Sequence, residues 1–134
     1  MNFSKNFKEE EFLVSLQYPY IADKMRLRTF QRQRLILLCN SILQPLRDKF
    51  GKITIVSGKR TKTLNSLVGG SEDSDHIHCI ASDIYPEESR VLDVYNYIKE
   101  NLPYRELILH FNSIHVSVNI YNRKWKKYCE KYNA

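Results

Sequence analysis

Between residues 71 and 86 the sequence runs SEDSDHIHCIASDIYP, with two histidines and three aspartates among small and β-branched residues. Imidazole nitrogens and carboxylate oxygens are the donors that a divalent ion such as zinc accepts. The stretch therefore reads as a metal loop whose remaining ligand lies elsewhere in the chain. His76 and Asp83 are an odd number of residues apart, so a flat strand would send them to opposite faces. If both serve one ion, His76 belongs in the loop before the strand, or a bulge intervenes. His76-Ile77-His78 could itself chelate, with His78 in place of His76; the spacing to Asp83 favours His76.

Two further histidines follow on a predicted hairpin. In Ile114-His115-Val116-Ser117-Val118-Asn119-Ile120, apolar and polar residues alternate, which turns Ile114, Val116, Val118 and Ile120 to the core and His115 to the opposite face. Upstream, Leu107, Leu109 and Phe111 alternate with Glu106, Ile108 and His110. A two-residue turn at Asn112-Ser113 predicts pairing of Phe111 with Ile114 and of His110 with His115. Glu106 shares the face of His110 but stands four residues away, about 13 Å along a strand.

The elements that position these residues read as an α+β fold over one domain, residues 1–134, with helices before and within a small, mostly antiparallel sheet. Asn6 and Glu9 suggest a capping box for a short helix in FKEEEFLVS, and YPYIADKM reads as a connector. Leu35, Leu38, Ile42, Leu46 and Phe50 space out a long amphipathic helix from Thr29 to Gly51, which Pro45 should bend or split. Ile53–Ser57 is a buried strand, KTLNSLVGG one or two helical turns, and residues 78–84 a strand. A helix is predicted from Glu87 to Asn101, with Val91, Val94, Tyr95 and Ile98 inward. The tail suggests a terminal helix.

Cys39, Cys79 and Cys129 are odd in number, lack a Cys-x-x-Cys pair, and read as buried thiols in a reducing compartment rather than a disulfide framework. No apolar run reaches the length of about 20 residues that a membrane span needs, and the N-terminus shows no secretory signal, so synthesis in the cytoplasm is expected. Net charge is +6 with a pI near 9.2. That balance permits nucleic acid, anionic membranes or acidic wall polymers as partners. Much of it sits in Arg26, Arg28, Arg32 and Arg34, which read as a solvated helix face, and in the tail from Arg123 to Lys131. Trp125, Tyr128 and Tyr132 in that tail could stack on bases, giving a nucleic-acid reading.

The ordered set Ser74-Asp75-His76, Ala81-Ser82-Asp83 and His115-Val116 resembles the zinc D-Ala-D-Ala carboxypeptidases, murein peptidases that share a fold with the hedgehog signalling domain. The likeness is strongest to phage and prophage members. SGKRTKTLNSLVGG, with Arg60, Asn65, Gly69 and Gly70, resembles the family's Arg turn, and the likeness runs from about residue 3 to residue 118. It implies Zn²⁺ held by His76, Asp83 and His115, with Arg60 and Ser74 contacting a peptidoglycan or muropeptide substrate. Two imidazoles and a carboxylate leave a fourth position for water, which the metal would acidify while polarising the scissile carbonyl.

Two positions depart from the family pattern. Cys79 stands where a glycine is usual, which puts the local backbone in question and adds a thiol near the metal. The usual Glu or Asp base shortly before the final histidine is missing; His110 and Asn112 occupy that window, and His110 is the best substitute. If His110 instead bound the ion, four protein ligands would close the site. The expectations are thus a zinc peptidase reaching the wall on release or within a virion, a degenerate zinc-stabilised binding or virion-structural module, or a nucleic-acid binder.

Overall fold

Pro45 has no N–H to offer the carbonyl one turn back, and the long helix changes pitch just before it. In the computed structural model, which describes residues 1–120, α2 (Thr29–Leu38) passes through a π-turn (Cys39–Leu43) into α3 (Gln44–Phe50). Side chains take over carbonyls around the wide turn: Asn40 Nδ2 donates to Ile36 O at 2.8 Å and Ser41 Oγ to Leu37 O at 2.5 Å. Leu35, Leu38, Ile42 and Leu46 are all fully buried, so this split helix forms the centre of the core. Gly51, at φ 81°, ends it in a conformation that glycine adopts without strain.

Before α2 the chain departs from the sequence pattern twice. FKEEEFLVS forms only a 3-10 turn (Glu9–Phe12), in which Glu11, not Glu9, accepts the Lys8 N–H. Asn6 is engaged elsewhere: its backbone N–H and its side-chain carbonyl both bond the Gln44 amide. The predicted connector contains α1 (Pro19–Lys24), for which Pro19 supplies a preset first turn.

Four strands make one antiparallel sheet in the order β1-β2-β4-β3: β1 (Ile53–Ser57), β2 (Ala81–Pro86), β3 (Tyr104–Leu109) and β4 (Ile114–Val118). The α+β expectation holds. Ile55, Ile84, Ile114, Val116 and Val118 face the helices and are buried. α4 (Lys62–Leu67) links β1 towards β2, and α5 (Val91–Asn101) crosses from β2 to β3 with Val94 and Ile98 fully buried. α5 starts four residues later than expected because residues 87–89 are tied to the α3–β1 corner. Glu88 accepts from Lys52 N–H, Glu87 from Thr54 Oγ, and Ser89 donates to Phe50 O. β2 likewise starts at Ala81, which leaves residues 78–80 to the preceding loop.

The β3–β4 pairing corrects the predicted register. Leu109 pairs with Ile114 and Ile108 with His115, two places from the expected partners. A two-residue turn of the favoured primed type needs positive φ, yet Cys79 is the only non-glycine with positive φ among the described residues. Asn112 and Ser113 therefore sit in a four-residue loop, closed by His110 N–H donating to Ser113 O at 2.9 Å. A slip of two keeps each side chain on its face but moves it along the strand. His110 leaves the ladder, and Leu109 and Phe111 are exposed rather than in the core.

Of the cysteines, Cys39 and Cys79 are buried and free. Arg32 pairs with Glu9, and Arg34 lies over the Phe30 ring while donating to His78 O. Among the described residues no helix is long and apolar enough to cross a membrane. Cys129, Trp125, Tyr128, Tyr132 and the predicted terminal helix lie outside the described residues.

Candidate metal centre

The sheet face away from the core carries one row of paired residues across all four strands: Ser57, Asp83, His115 and Ile108. Asp83 and His115 are direct cross-strand partners on β2 and β4. A loop then lays His76 over them. Its course starts at α4, where Thr61 caps the helix by accepting the Leu64 N–H, and turns at Gly69, which has φ 75°. At Gly70 the backbone runs so close to Asn65 that a Cβ would lie 2.1 Å from Asn65 Oδ1. Buried Asn65 holds the turn by donating to Ser71 O at 2.7 Å. Ser74 Oγ accepts the His76 N–H at 3.2 Å, and His76 O accepts from Arg60 N–H. Cys79 adopts φ 57° and leads into β2, so the left-handed backbone that a glycine would suit is present at this position.

Three atoms converge. His76 Nε2 lies 3.2 Å from Asp83 Oδ1, His115 Nδ1 lies 3.1 Å from the same oxygen, and the two nitrogens are 3.3 Å apart. Donor atoms around a tetrahedral zinc ion lie roughly 3.4 Å apart, given bonds of about 2.0–2.2 Å. The far side of each ring is committed. His76 Nδ1 donates to Gly58 O at 2.8 Å, and His115 Nε2 donates to Glu106 Oε1 at 2.7 Å. In the neutral rings, with those protons outward, both inward nitrogens present lone pairs to a carboxylate oxygen. Three acceptors in mutual contact, with His76 and His115 buried, repel one another unless a cation or a proton joins them. The donor set thus fits a divalent ion, and both rings carry the outer hydrogen bond that commonly orients a metal-bound histidine.

The electrostatics agree. Burial alone would raise the Asp83 carboxyl, but hydrogen bonds from His115 and His76 and their charge hold it well below the ordinary carboxylate range. Burial disfavours a charged His115, yet Asp83 and Glu106 on either side carry its pKa above the usual imidazole value. Both shifts describe a pocket built for positive charge. Arg60 supplies some from the rim: its Nη2 donates to Asp83 Oδ2 at 3.3 Å, Nη1 to Asn65 Oδ1 and Nε to Ser57 Oγ. Burial lowers the Arg60 pKa, with Asp83 opposing.

Arg60, Ser74, His76, Asp83, His110 and His115 line a single cleft, together with Asp75, Arg105 and Glu106. The fold therefore gathers the expected metal-binding, substrate-binding and base residues in one cleft, and leaves His78 and Cys79 out of it. Their distances differ. Among the described residues, the donors close enough to share one ion are His76, Asp83 and His115, and, sharing His115, Asp75 and Glu106. His110 is exposed on the cleft wall, outside both groups. His78 is turned away to Asp73 at 2.6 Å. Cys79 is buried, and neither group includes its thiol.

Glu106 is the residue that sequence reasoning set aside. Glu106 stands about 13 Å along the strand from His110, which put it far from the centre only while His110 was paired with His115; the two-place slip brings Glu106 diagonally beside His115. A β-bulge, in which Tyr104 to Leu107 spans only Val118 to Val116, completes the approach. Asp75 was quoted only as a motif residue, and its pairing with Arg105 Nη1 at 2.6 Å had no local sequence signal.

No curated protein matches the chain at a significant level. The description Peptidase M15 does match, by its family model, over residues 6–117, a span that takes in Arg60, the His76 loop, Asp83, Glu106 and His115. With that span covering most of its length, the chain belongs to the Peptidase M15 family.

Proposed function

We propose that the chain is a zinc peptidase that hydrolyses bonds next to D-amino acids in peptidoglycan stem peptides, and that it is a phage or prophage product. Membership of a peptidase family supports peptide-bond hydrolysis. The observation that carries the metal reading is the mutual contact of one atom each of His76, Asp83 and His115, while the outer nitrogens of both rings are bonded to Gly58 and Glu106. These residues would hold the zinc. Zn²⁺ bound there supplies a Lewis acid and a water made acidic enough to act near neutrality.

The remaining work falls to the chain's own side chains. Arg60 spends three N–H groups on Ser57, Asn65 and Asp83, and a guanidinium has five. The other two are available to grip a substrate carboxylate or the oxyanion that develops at the scissile carbonyl. His110 accepts a proton and returns it to the leaving amine, the role an imidazole fills best near neutral pH. Ser74 contacts the substrate from the loop side. Beyond Arg60 and Asp83 lies an apolar shelf of Val14, Leu16, Val56, Leu64 and Val68, suited to a small side chain such as the methyl of alanine. The net charge of +6 favours docking on an acidic wall. Delivery would be by a lysis pore or inside a virion.

Incubation of the purified chain with muropeptides and zinc, followed by mass spectrometry, tests this. Shortened stem peptides are expected; no product at any pH between about 5 and 9 defeats the reading. His110→Ala should keep zinc and fold while losing about 10²–10⁴ in turnover.

One observation favours a second reading, a zinc-stabilised binding or virion-structural module without turnover. Glu106, the nearest carboxylate to the expected base position, is already bonded to His115, and His110 is on an exposed loop. Muropeptide binding without cleavage would identify that module.

A further inference from the structure

The bulge in β3 has no part in the core. It gives the strand one residue more than β4 opposite it, between Tyr104 and Leu107. The Glu106 N–H is bonded to the buried Ser117 Oγ at 3.0 Å. Bulges re-aim the side chains they carry. Here both residues of the bulge reach the centre: Glu106 Oε1 takes His115 Nε2–H at 2.7 Å, and Arg105 Nη1 reaches Asp75, next to His76, at 2.6 Å.

We infer that Glu106 is a positioning residue of the metal centre, fixing the tautomer and tilt of His115 so that Nδ1 presents its lone pair to the ion. The inference rests on the metal reading of the site. Glu106 touches only the far nitrogen of the ring, so it acts through His115. A carboxylate behind a ligating imidazole also raises the basicity of the inner nitrogen. Ser117 makes this possible, because its hydroxyl accepts the Glu106 N–H where the bulge interrupts the ladder. Arg105 adds the second half of the clamp by holding the loop segment that carries His76.

The test measures zinc affinity by chelator competition and the visible spectrum of the cobalt-substituted protein, for wild type and for Glu106→Ala, Glu106→Gln and Glu106→Asp. Circular dichroism monitors folding. Glu106→Ala is expected to lose about 10–100-fold in zinc affinity and to shift the cobalt bands. Glu106→Gln keeps an acceptor at the same reach and should stay within a few-fold of wild type. Glu106→Asp keeps the charge but falls short of the ring, so it should resemble alanine. If Glu106→Ala does not fold, the Gln and Asp variants carry the comparison alone. Zinc affinity and cobalt spectrum unchanged in both Ala and Asp overturn the inference, as does an Asp variant that binds well while Gln fails. Wild type that binds no zinc, or binds it no better than His76→Ala, overturns the metal reading itself and this inference with it.

Discussion

Asp83 and His115 face each other across adjacent antiparallel strands, and that one pairing places a carboxylate oxygen 3.1 Å from an imidazole nitrogen. Residues 32 positions apart in the chain meet because the sheet order puts β4 beside β2, and β3 at the edge. His76 completes the triangle from a loop, where its backbone is pinned by Ser74 and Arg60. Two members are thus placed by the sheet and one by hydrogen bonds of the protein's own backbone and side chains.

Removing the ion should therefore cost stability more than structure. A bound metal stabilises the folded state by RT ln(1 + [L]/Kd), about 4.1 kcal/mol when zinc exceeds its Kd a thousandfold. A chelator is expected to lower the Tm of wild type by roughly 15 °C. Asp83→Ala and His76→Ala, which lack a ligand, should melt at one temperature with or without chelator. Calorimetry on the three proteins checks this.

Asn65 is predicted to matter beyond its distance from the ion. It is buried, accepts from Arg60 Nη1 and donates to Ser71 O. Asn65→Ala strands both partners, at a cost of about 1–3 kcal/mol. Gly70→Ala drives a methyl to 2.1 Å from Asn65 Oδ1 and should displace the same amide. Urea denaturation of both variants, beside a Ser66→Ala control on the exposed face of α4, measures the effect.

How much of this was legible in the sequence depended on the range of the forces involved. β1 was read to the residue because four apolar or β-branched residues, Ile53 to Val56, and then Ser57 stand between Lys52 and Gly58. Pro45 announced the break in the long helix through its missing N–H. The grouping of His76, Asp83 and His115 was visible only through the order of short motifs, since nothing in the chain from 71 to 83 says where residue 115 will lie. α1 was missed because its six residues are too short for a periodic signal. The hairpin register failed because Asn-Ser suits several loop lengths, and the error propagated to Glu106, whose role depends on a bulge that no local pattern encodes.

Gly58 is a second position where the backbone leaves no room. A Cβ there would lie 2.5 Å from Phe12 O, the carbonyl that also accepts Lys59 N–H. The Gly58 carbonyl in turn takes the His76 Nδ1 proton. Gly58→Ala should thus do two things at once: destabilise by roughly 3 kcal/mol through overpacking against fixed backbone, and weaken zinc by shifting the acceptor behind His76. Parallel measurement of unfolding free energy and zinc affinity tests whether both fall. A loss of stability with zinc affinity untouched would sever the proposed link between Gly58 and the ring.

Cys79 gives the most discriminating substitution series. Its φ of 57° is a left-handed conformation that costs a side-chain-bearing residue about 1–2 kcal/mol. Its side chain is fully buried beside the core, and burial pushes the thiol up to about 11. At an ordinary buried position alanine would be more stable than glycine by about 0.5–1 kcal/mol. Here alanine keeps the backbone cost and loses the sulfur contacts, whereas glycine loses the contacts but escapes the cost. Cys79→Gly should therefore be at least as stable as Cys79→Ala. Cys79→Val, close in volume but β-branched, should be the worst of the three, because branching at Cβ crowds a left-handed backbone. Chemical denaturation gives the order directly, and the ordinary order, with alanine well above glycine, would show that the backbone at residue 79 is not left-handed in solution. Alkylation supplies an independent check: a thiol raised that far and buried should react with iodoacetamide at pH 8 only as fast as the protein unfolds.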